Sequence, residues 1–566
     1  MRMTRRRLLK NASCAAASLA AAHAGSLEVV GAETSPADLL FKNGSVLTME
    51  DSPAVVEALA VRGGRIQAAG ALREVSRLAG ARTRTIDLAG RSLTPGLIDA
   101  HSHPMAFGHM ELHFILVRPP KVHNFETLGR TLAQAAAKLP KGEWVIARGF
   151  EDFDEGRFPF RQELDRYVPE HPLLAIQWSG QYGVCNTPAL QKADLLRADA
   201  ADPYGGKYLR DRRTNIPDGR LLHYPAIYSI HKNELDNAGQ VEAIRWALDK
   251  FLACGVTCIH DNFATGPSAR SYAMLDRMGR LPVRLRVYPY VPNLRICQEL
   301  LQRMRRYEGD MARLSGVKLA VDGYALMYDV PPEHRELDMP MHPQDQFEAI
   351  VAAIHNAGLQ VDVHAVGDKG VDWTLKAFAK AGGSAQAVRR MRHRIEHYPF
   401  LKADSIRNTA DLGVPVCTQP TILHLRAESF LRRFGTKKLR QIETMVPLRT
   451  MTRAGVRVCF GADVPAFPTH LPLDSVRCAM ERKTSKGRQL DTTESVPFLQ
   501  ALKMHTIESA YAAFDERELG TLTPGKLADM VVWNKDLRTV RTARDVGGLE
   551  VQTTYVGGKE AYTKKV

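Results

Sequence analysis

From residue 37 onward, apolar and polar positions alternate in short runs broken by glycines, at 39–41, 44–48, 56–61, 63–70 and 85–88. A period of two bounded by glycine turns predicts β-strands. The same pattern returns at the far end, at 528–533 and 551–559. Two β-rich ends around a different middle predict one small β-sandwich assembled from both termini, its two parts spanning residues 37–93 and 519–566. Over 94–518 the pattern changes. Short apolar runs at 97–100, 256–260, 284–290, 316–321, 360–364, 393–397, 414–419 and 456–461 alternate with helical periodicity at 240–254, 345–357 and 403–412. Such alternation predicts an α/β chain with a parallel sheet. Polar residues stand at the C-terminal end of nearly every run, where barrel enzymes build their sites, so a (β/α)8 TIM barrel is expected rather than an open sheet.

The first two barrel runs are separated by 155 residues, from Ala100 to Val256. That is far more than a crossover needs, so residues 105–237 are expected to hold an insertion. Within it, 144–150 and 173–178 read as strands of a small α/β lid. Its place directly after the first barrel strand sets it over the mouth of the barrel. No internal repeat or low-complexity linker interrupts the chain.

The formal charge of +15 raises nucleic acid as a partner, but Arg2, Arg5, Arg6, Arg7 and Lys10 crowd the extreme N-terminus. The remaining basic residues are scattered, with no long run and no stacked aromatic platform, so nucleic acid is not expected. Thr4-Arg5-Arg6-Arg7-Leu8-Leu9-Lys10 and the Ala-rich stretch 12–24 resemble a twin-arginine signal over residues 1–32, cleaved after Ala24 or Ala32. Export by the twin-arginine machinery to the periplasm or beyond is therefore expected. No segment is long and apolar enough for a permanent membrane span. Of eight cysteines, Cys14 falls in the leader and the other seven are widely spaced. Without a C-x-x-C there is no sign of a zinc ribbon or a disulfide framework, although one disulfide stays open.

Candidate chemistry begins at His101 and His103, two apart on an extended segment, so that both side chains face one side and can bind one ion. Among 19 histidines such a pair says little alone. His364 and His397 each end a predicted strand, as does Asp463, and an isolated residue of this kind is more often a core histidine or a helix cap. The order two His, His, His, Asp at successive strand ends is what points to a metal site. His109 and His113 have i, i+4 spacing but fall outside that order. His393 shares the parity of His397 and is expected deeper in the barrel in a structural hydrogen bond.

Together, Leu93-Thr94-Pro95-Gly96-Leu97-Ile98-Asp99-Ala100-His101-Ser102-His103, His364-Ala365-Val366-Gly367-Asp368, Arg392-His393-Arg394-Ile395-Glu396-His397 and Gly461-Ala462-Asp463-Val464-Pro465 resemble the metal-dependent amidohydrolase superfamily. The branch they resemble is amidohydrolase family 3, which includes N-substituted formamide deformylase-like proteins. Further support comes from Gly316-Val317-Lys318-Leu319-Ala320-Val321-Asp322-Gly323, Thr418-Gln419-Pro420 and 520–529, so the resemblance covers about residues 37–560. It implies two divalent ions, Zn2+ above all, one held by His101, His103 and Asp463 and the other by His364 and His397. It also implies that Lys318, opposite in parity to Val317, Leu319 and Val321, is N6-carboxylated and bridges the ions. A lysine that stays cationic and binds a substrate carboxylate is the alternative. Asp463 would be ligand and general base as a metal-bound hydroxide attacks the carbonyl of a small-molecule substrate. His260, Asp322, Gln419 and His424 are candidate substrate contacts, and a homodimer is implied.

The chain departs from its relatives in the lid, where Gln181 of Ser179-Gly180-Gln181-Tyr182 replaces an expected histidine and cannot change protonation near neutral pH. Gln181 thus joins the candidate substrate contacts. The reading is an exported hydrolase of a C–N bond in an amide, N-acyl or N-formyl amine. A deaminase or an esterase or lactonase on the same barrel, or a non-catalytic exoenzyme-regulatory or binding protein, are the alternatives.

Overall fold

The computed structural model describes residues 35–565 other than 152, 233–234, 304–306, 324, 331–338, 401 and 436–437. The leader expected at 1–32 lies outside them. Each of the eight apolar runs of the middle forms a strand: β1 (Leu97–Ser102), β2 (Val256–Ala264), β3 (Arg284–Pro289), β4 (Gly316–Ala320), β5 (Gln360–Ala365), β6 (Arg394–His397), β7 (Val416–Thr418) and β8 (Val458–Phe460). β1 to β3 pair in parallel in chain order, and β4 to β8 do likewise. The short strand Ala312–Leu314, just before β4, pairs in parallel with β3, and a parallel bridge between Tyr290 and Lys318 joins the two sets.

At the other seam the Asp463 N–H donates to the His101 carbonyl at 2.7 Å, and the His103 N–H to the Val464 carbonyl at 2.9 Å. Buried Asp99 accepts from the N–H groups of both His101 and Ala462 at 3.1 Å. Gly461 makes this approach possible, since a Cβ there would lie 2.5 Å from the His101 nitrogen. The end of β8 therefore stands beside the end of β1, and the ends of the strands carry the polar residues.

Alternation along the strands separates two environments. Val317 and Leu319 on β4, Val361 and Val363 on β5 and Ile395 on β6 belong to the main apolar core, together with Phe347, Ile350 and Phe378 from the neighbouring helices. Each such burial contributes roughly 1.5–3 kcal/mol. The helix Asn237–Ala253 starts where the Asp236 carboxylate accepts from the Gly239 N–H at 2.8 Å, and it buries Ile244, Leu248 and Phe251.

Both chain ends share one six-stranded sheet, in the order Lys559–Thr563, Val551–Val556, Met530–Trp533, Ser92–Pro95, Ser45–Leu47 and Val55–Val56. A four-stranded sheet of Arg65–Gly70, Ala58–Arg62, Leu39–Lys42 and Arg84–Asp87 packs on it through Phe41, Val46, Met530 and Tyr555. The run 56–61 divides at Glu57, its first part pairing in one sheet and its second in the other. The C-terminal hairpin turns at Gly557 and Gly558, with φ of 55° and 73°, as a two-residue turn of this hand requires. Arg284 on β3 makes a buried two-point ion pair with Asp529, at 2.8 and 3.0 Å, tying this sandwich to the barrel strands.

The insertion carries its own six-stranded mixed sheet, in the order Lys207–Arg210, Pro217–Leu222, Tyr182–Cys185, Leu173–Gln177, Val145–Phe150 and Ile115–Leu116. The seven cysteines among the described residues are free thiols. No helix among those residues is long and apolar enough to cross a membrane.

Candidate metal centre and its cavity

His101 lies one residue before the end of β1 and His103 just past it, so Asp463, carried to them by the β8 seam, meets both. Its Oδ1 lies 3.5 Å from His101 Nε2 and 3.3 Å from His103 Nε2. The other ring nitrogens are already committed: His101 Nδ1 to Glu396, and His103 Nδ1 to Asp261 at 3.4 Å. With those nitrogens donating, both Nε2 lone pairs face a carboxylate oxygen, an arrangement that needs a proton or a cation between them. Without one, His103, against the pull of burial, is held up to about 9 by its hydrogen bonds to Asp261 and Asp463. The ligand atoms of His101, His103 and Asp463 all lie within 4.8 Å of one another, and the donor set suits a divalent ion.

Two further imidazoles close on this trio. The ring of His397 lies 4.9 Å from His101 and 4.3 Å from His364. His397 Nδ1 donates to Gln419 Oε1 at 2.8 Å, which leaves its Nε2 as a buried lone pair with no hydrogen-bond partner among the described residues. His364 Nε2 lies 3.1 Å from the Gly323 carbonyl and 3.5 Å from Asp322. Burial, and then the nearby Lys318 charge, push His101 down and His364 down to about 3, while burial and His364 push His397 down. These three rings are neutral near pH 7, as metal ligands must be.

Beneath them lies a charged layer inside the strands. The Lys318 ammonium donates to Asp362 at 3.0 Å, and Arg394 donates to Glu396 at 2.6 Å and to the Ala100 carbonyl at 2.8 Å. Burial and the Glu396 charge lift Asp362 to about 6, against Lys318 and Arg394.

A cavity of about 290 Å³ opens above. His101, His103, Lys318, His364, His397 and Asp463 form its floor, and Gln181 and Arg148 reach it from the insertion. The other expected contacts stand elsewhere. His260 points into the strands against Arg394 at 3.0 Å, and Asp322 fastens the loop after β5 through the N–H groups of Val366 and Gly367. Gln419 acts on His397, and His424 lies against the Lys483 carbonyl at 3.3 Å. His109 lines the cavity while His113, beside it on the helix, does not.

His393 is not deeper in the barrel. It packs between sheet and helices, 5.0 Å from the Phe378 ring, accepting from the Val361 N–H and bonded to His355 at 2.8 Å. The cause is the left-handed backbone at His397, with φ of 75°, which breaks the alternation and turns that ring to the cavity.

A sequence profile of the amidohydrolase family matches residues 84–562, most of the chain. The chain belongs to the amidohydrolase family. This amidohydrolase is 27% identical to the N-substituted formamide deformylase of Arthrobacter pascens, over 93% of its own length and 98% of the relative's. It is 28% identical to the protein LONG AFTER FAR-RED 3 of Arabidopsis thaliana, over 93% and 92%. Its fold is shared with an uncharacterized metal-dependent hydrolase of Pyrococcus horikoshii, with a TM-score of 0.69 and 21% identity over 90% of this chain and 99% of that one. Membership of that family makes the chain a hydrolase of the amidohydrolase kind.

Glu396 and Asp99 both stand within quoted motifs, but a lone carboxylate on a strand gives no sign in the sequence of what it holds. Arg148 carried no signal at all.

Acid destabilises this amidohydrolase through histidines away from the metal site. Burial, followed by neighbouring His355, pushes His393 down to about 3, and burial pushes His505 down to about 4. Their unfolded value is about 6.5, so the unfolded chain binds more protons below that pH. The contribution of these two histidines to stability should be full above pH 6.5 and fall as pH drops toward their folded values, by on the order of 2 kcal/mol per histidine at pH 5. Urea unfolding at pH 7 and pH 5 measures it, and a His505→Gln protein should lose its share of the difference.

Proposed function

We propose that this amidohydrolase releases an amine from an N-acyl or N-formyl compound, using two divalent ions. His101, His103 and Asp463 would hold one, His364 and His397 the other, with carboxylated Lys318 between them. The observation that supports this best is Asp463 Oδ1 facing two imidazole lone pairs, with the unpartnered His397 Nε2 nearby, on the floor of a cavity of small-molecule size. Bound there, divalent ions supply a more acidic water and a polarised carbonyl.

The protein's own groups do the rest. Glu396, Asp261 and Gln419 fix the tautomers, so that each Nε2 offers its lone pair. Carboxylation of Lys318 Nζ would replace the ammonium whose charge weighs on His101 and His364. Asp463 takes a proton from the attacking water and returns it to the leaving nitrogen, as the C–N bond breaks and a C–O bond forms. An amine leaves poorly until protonated, so the second transfer is the indispensable one. Export of the chain rests on the leader pattern alone.

Zinc-loaded protein is expected to release free amine from members of a panel of N-acyl and N-formyl amines. Treatment with a strong chelator should lower that release at least about a hundredfold, and added Zn2+ should restore it. Ammonia or alcohol release in place of amine, or no turnover across a broad panel, would sink the assignment.

A further inference from the structure

The cavity has two chemically distinct ends. Its floor is the His/Asp cluster. Its wall on the insertion side is formed by Arg148, Ser179 and Gln181, and Tyr224 and Phe263 stand edge to face at 5.2 Å beside it. Arg148 is central to this wall. It sits on the strand Val145–Phe150, with its guanidinium beside Gly180: a Cβ at residue 180 would lie 3.1 Å from Nη2.

That guanidinium is under-satisfied. Among the described residues its buried Nε has no hydrogen-bond partner, and Nη2 reaches only the Trp178 carbonyl, at 3.5 Å. Neighbouring cations are accounted for. Arg118 pairs with Glu111 at 2.8 Å, Lys318 with Asp362 at 3.0 Å, and Lys232 is exposed at the cavity rim. Among the described residues, Arg148 is the withdrawn cation of the cavity with no carboxylate in contact. Burial pulls it down to about 10, opposed by the more distant charge of Asp463. A guanidinium left in this state is costly unless something completes it, and its planar fork matches a carboxylate.

We propose that Arg148 is the anchor for a carboxylate on the substrate, so that the preferred substrates are N-acylated amines bearing a carboxylate, of which an N-acyl amino acid is the simplest. This rests on the C–N hydrolysis proposed above and assigns its substrate class. The carboxylate docks on Arg148 at the insertion wall, and the scissile carbonyl lies toward His101, His103 and Asp463. The Tyr224 and Phe263 rings offer an apolar surface between the two ends. Gln181, close by and without a charge at any pH, leaves the field of Arg148 uncancelled. Arg148 acts on binding and takes no part in bond breaking.

The test compares N-acetylphenylalanine with N-acetyl-2-phenylethylamine, the same skeleton without the carboxylate, in the zinc-loaded wild type and in Arg148→Gln. A charge-assisted, two-point contact is worth roughly 10- to 100-fold. The wild type should favour the carboxylate substrate by about that factor in kcat/KM, and Arg148→Gln should bring the ratio close to one, chiefly through KM. Arg148→Lys, which keeps charge but not the fork, should fall between and serves if the Gln protein does not fold. A ratio unchanged by either variant overturns the proposal.

Calorimetric binding of 3-phenylpropanoate separates the two readings. Weaker binding to Arg148→Gln without turnover of either substrate supports the anchor and counts against C–N hydrolysis. Equal binding by the wild type and Arg148→Gln overturns the anchor whatever the turnover.

Discussion

Replacing Asp463 by Asn lowers kcat/KM for amine release at least about a thousandfold, while the protein unfolds within a few degrees of the wild type. Proton transfer by a placed side chain is worth about 10²- to 10⁴-fold, and a lost anionic metal ligand adds to this. The fold tolerates the change because its local ties are to the backbone: the Asp463 N–H to His101 and the Phe467 N–H to the Asp463 carbonyl, at 2.7 and 3.0 Å. An asparagine keeps the shape and both of those bonds. What it loses is the negative charge and the basicity of the carboxylate that faces His101 and His103. Turnover and metal content should be measured together. Turnover within about tenfold of wild type removes Asp463 from the role of base, and loss of turnover with full metal content isolates proton transfer from ligation.

Glu396→Gln should destabilise the protein by about 3–5 kcal/mol and weaken zinc binding by about 10- to 100-fold. Glu396 is fully buried, and it holds Arg394 on one oxygen and His101 on the other. Removing its charge leaves Arg394 with Asp362, at 3.8 Å, as its remaining carboxylate. It also replaces the acceptor that fixes the His101 tautomer by a group that can donate. Urea unfolding reads the first effect. Zinc competition against a chromophoric chelator, at a temperature where the variant is folded, reads the second. A purely structural Glu396 would change stability and leave zinc affinity within about twofold of the wild type.

Much of this molecule can be read from residues in order. The period of two at both ends and the strand-helix alternation between them follow from which positions must be apolar. These placed all eight barrel strands within a few residues. The strand-end residues His101, His103, His364, His397 and Asp463 were legible for the same reason, since a strand in this arrangement exposes its C-terminal end to one common mouth.

Two things were decided in three dimensions. The first is facing. Parity alone sends His393 and His397 to the same side, but the left-handed backbone at His397 separates them, putting one ring under the helices and the other in the cavity. A single positive φ is a property of the packed loop that follows β6, and no periodicity announces it. The second is convergence across long separations. Glu396 meets His101 from 295 positions away, and Arg148 comes to the cavity on an inserted sheet. Sequence fixes which groups are available along each strand, through the alternation of apolar and polar positions. Which of them touch, and which cation is left without a partner, depends on how separate sheets pack, because charge and hydrogen bonding act through space and not along the chain.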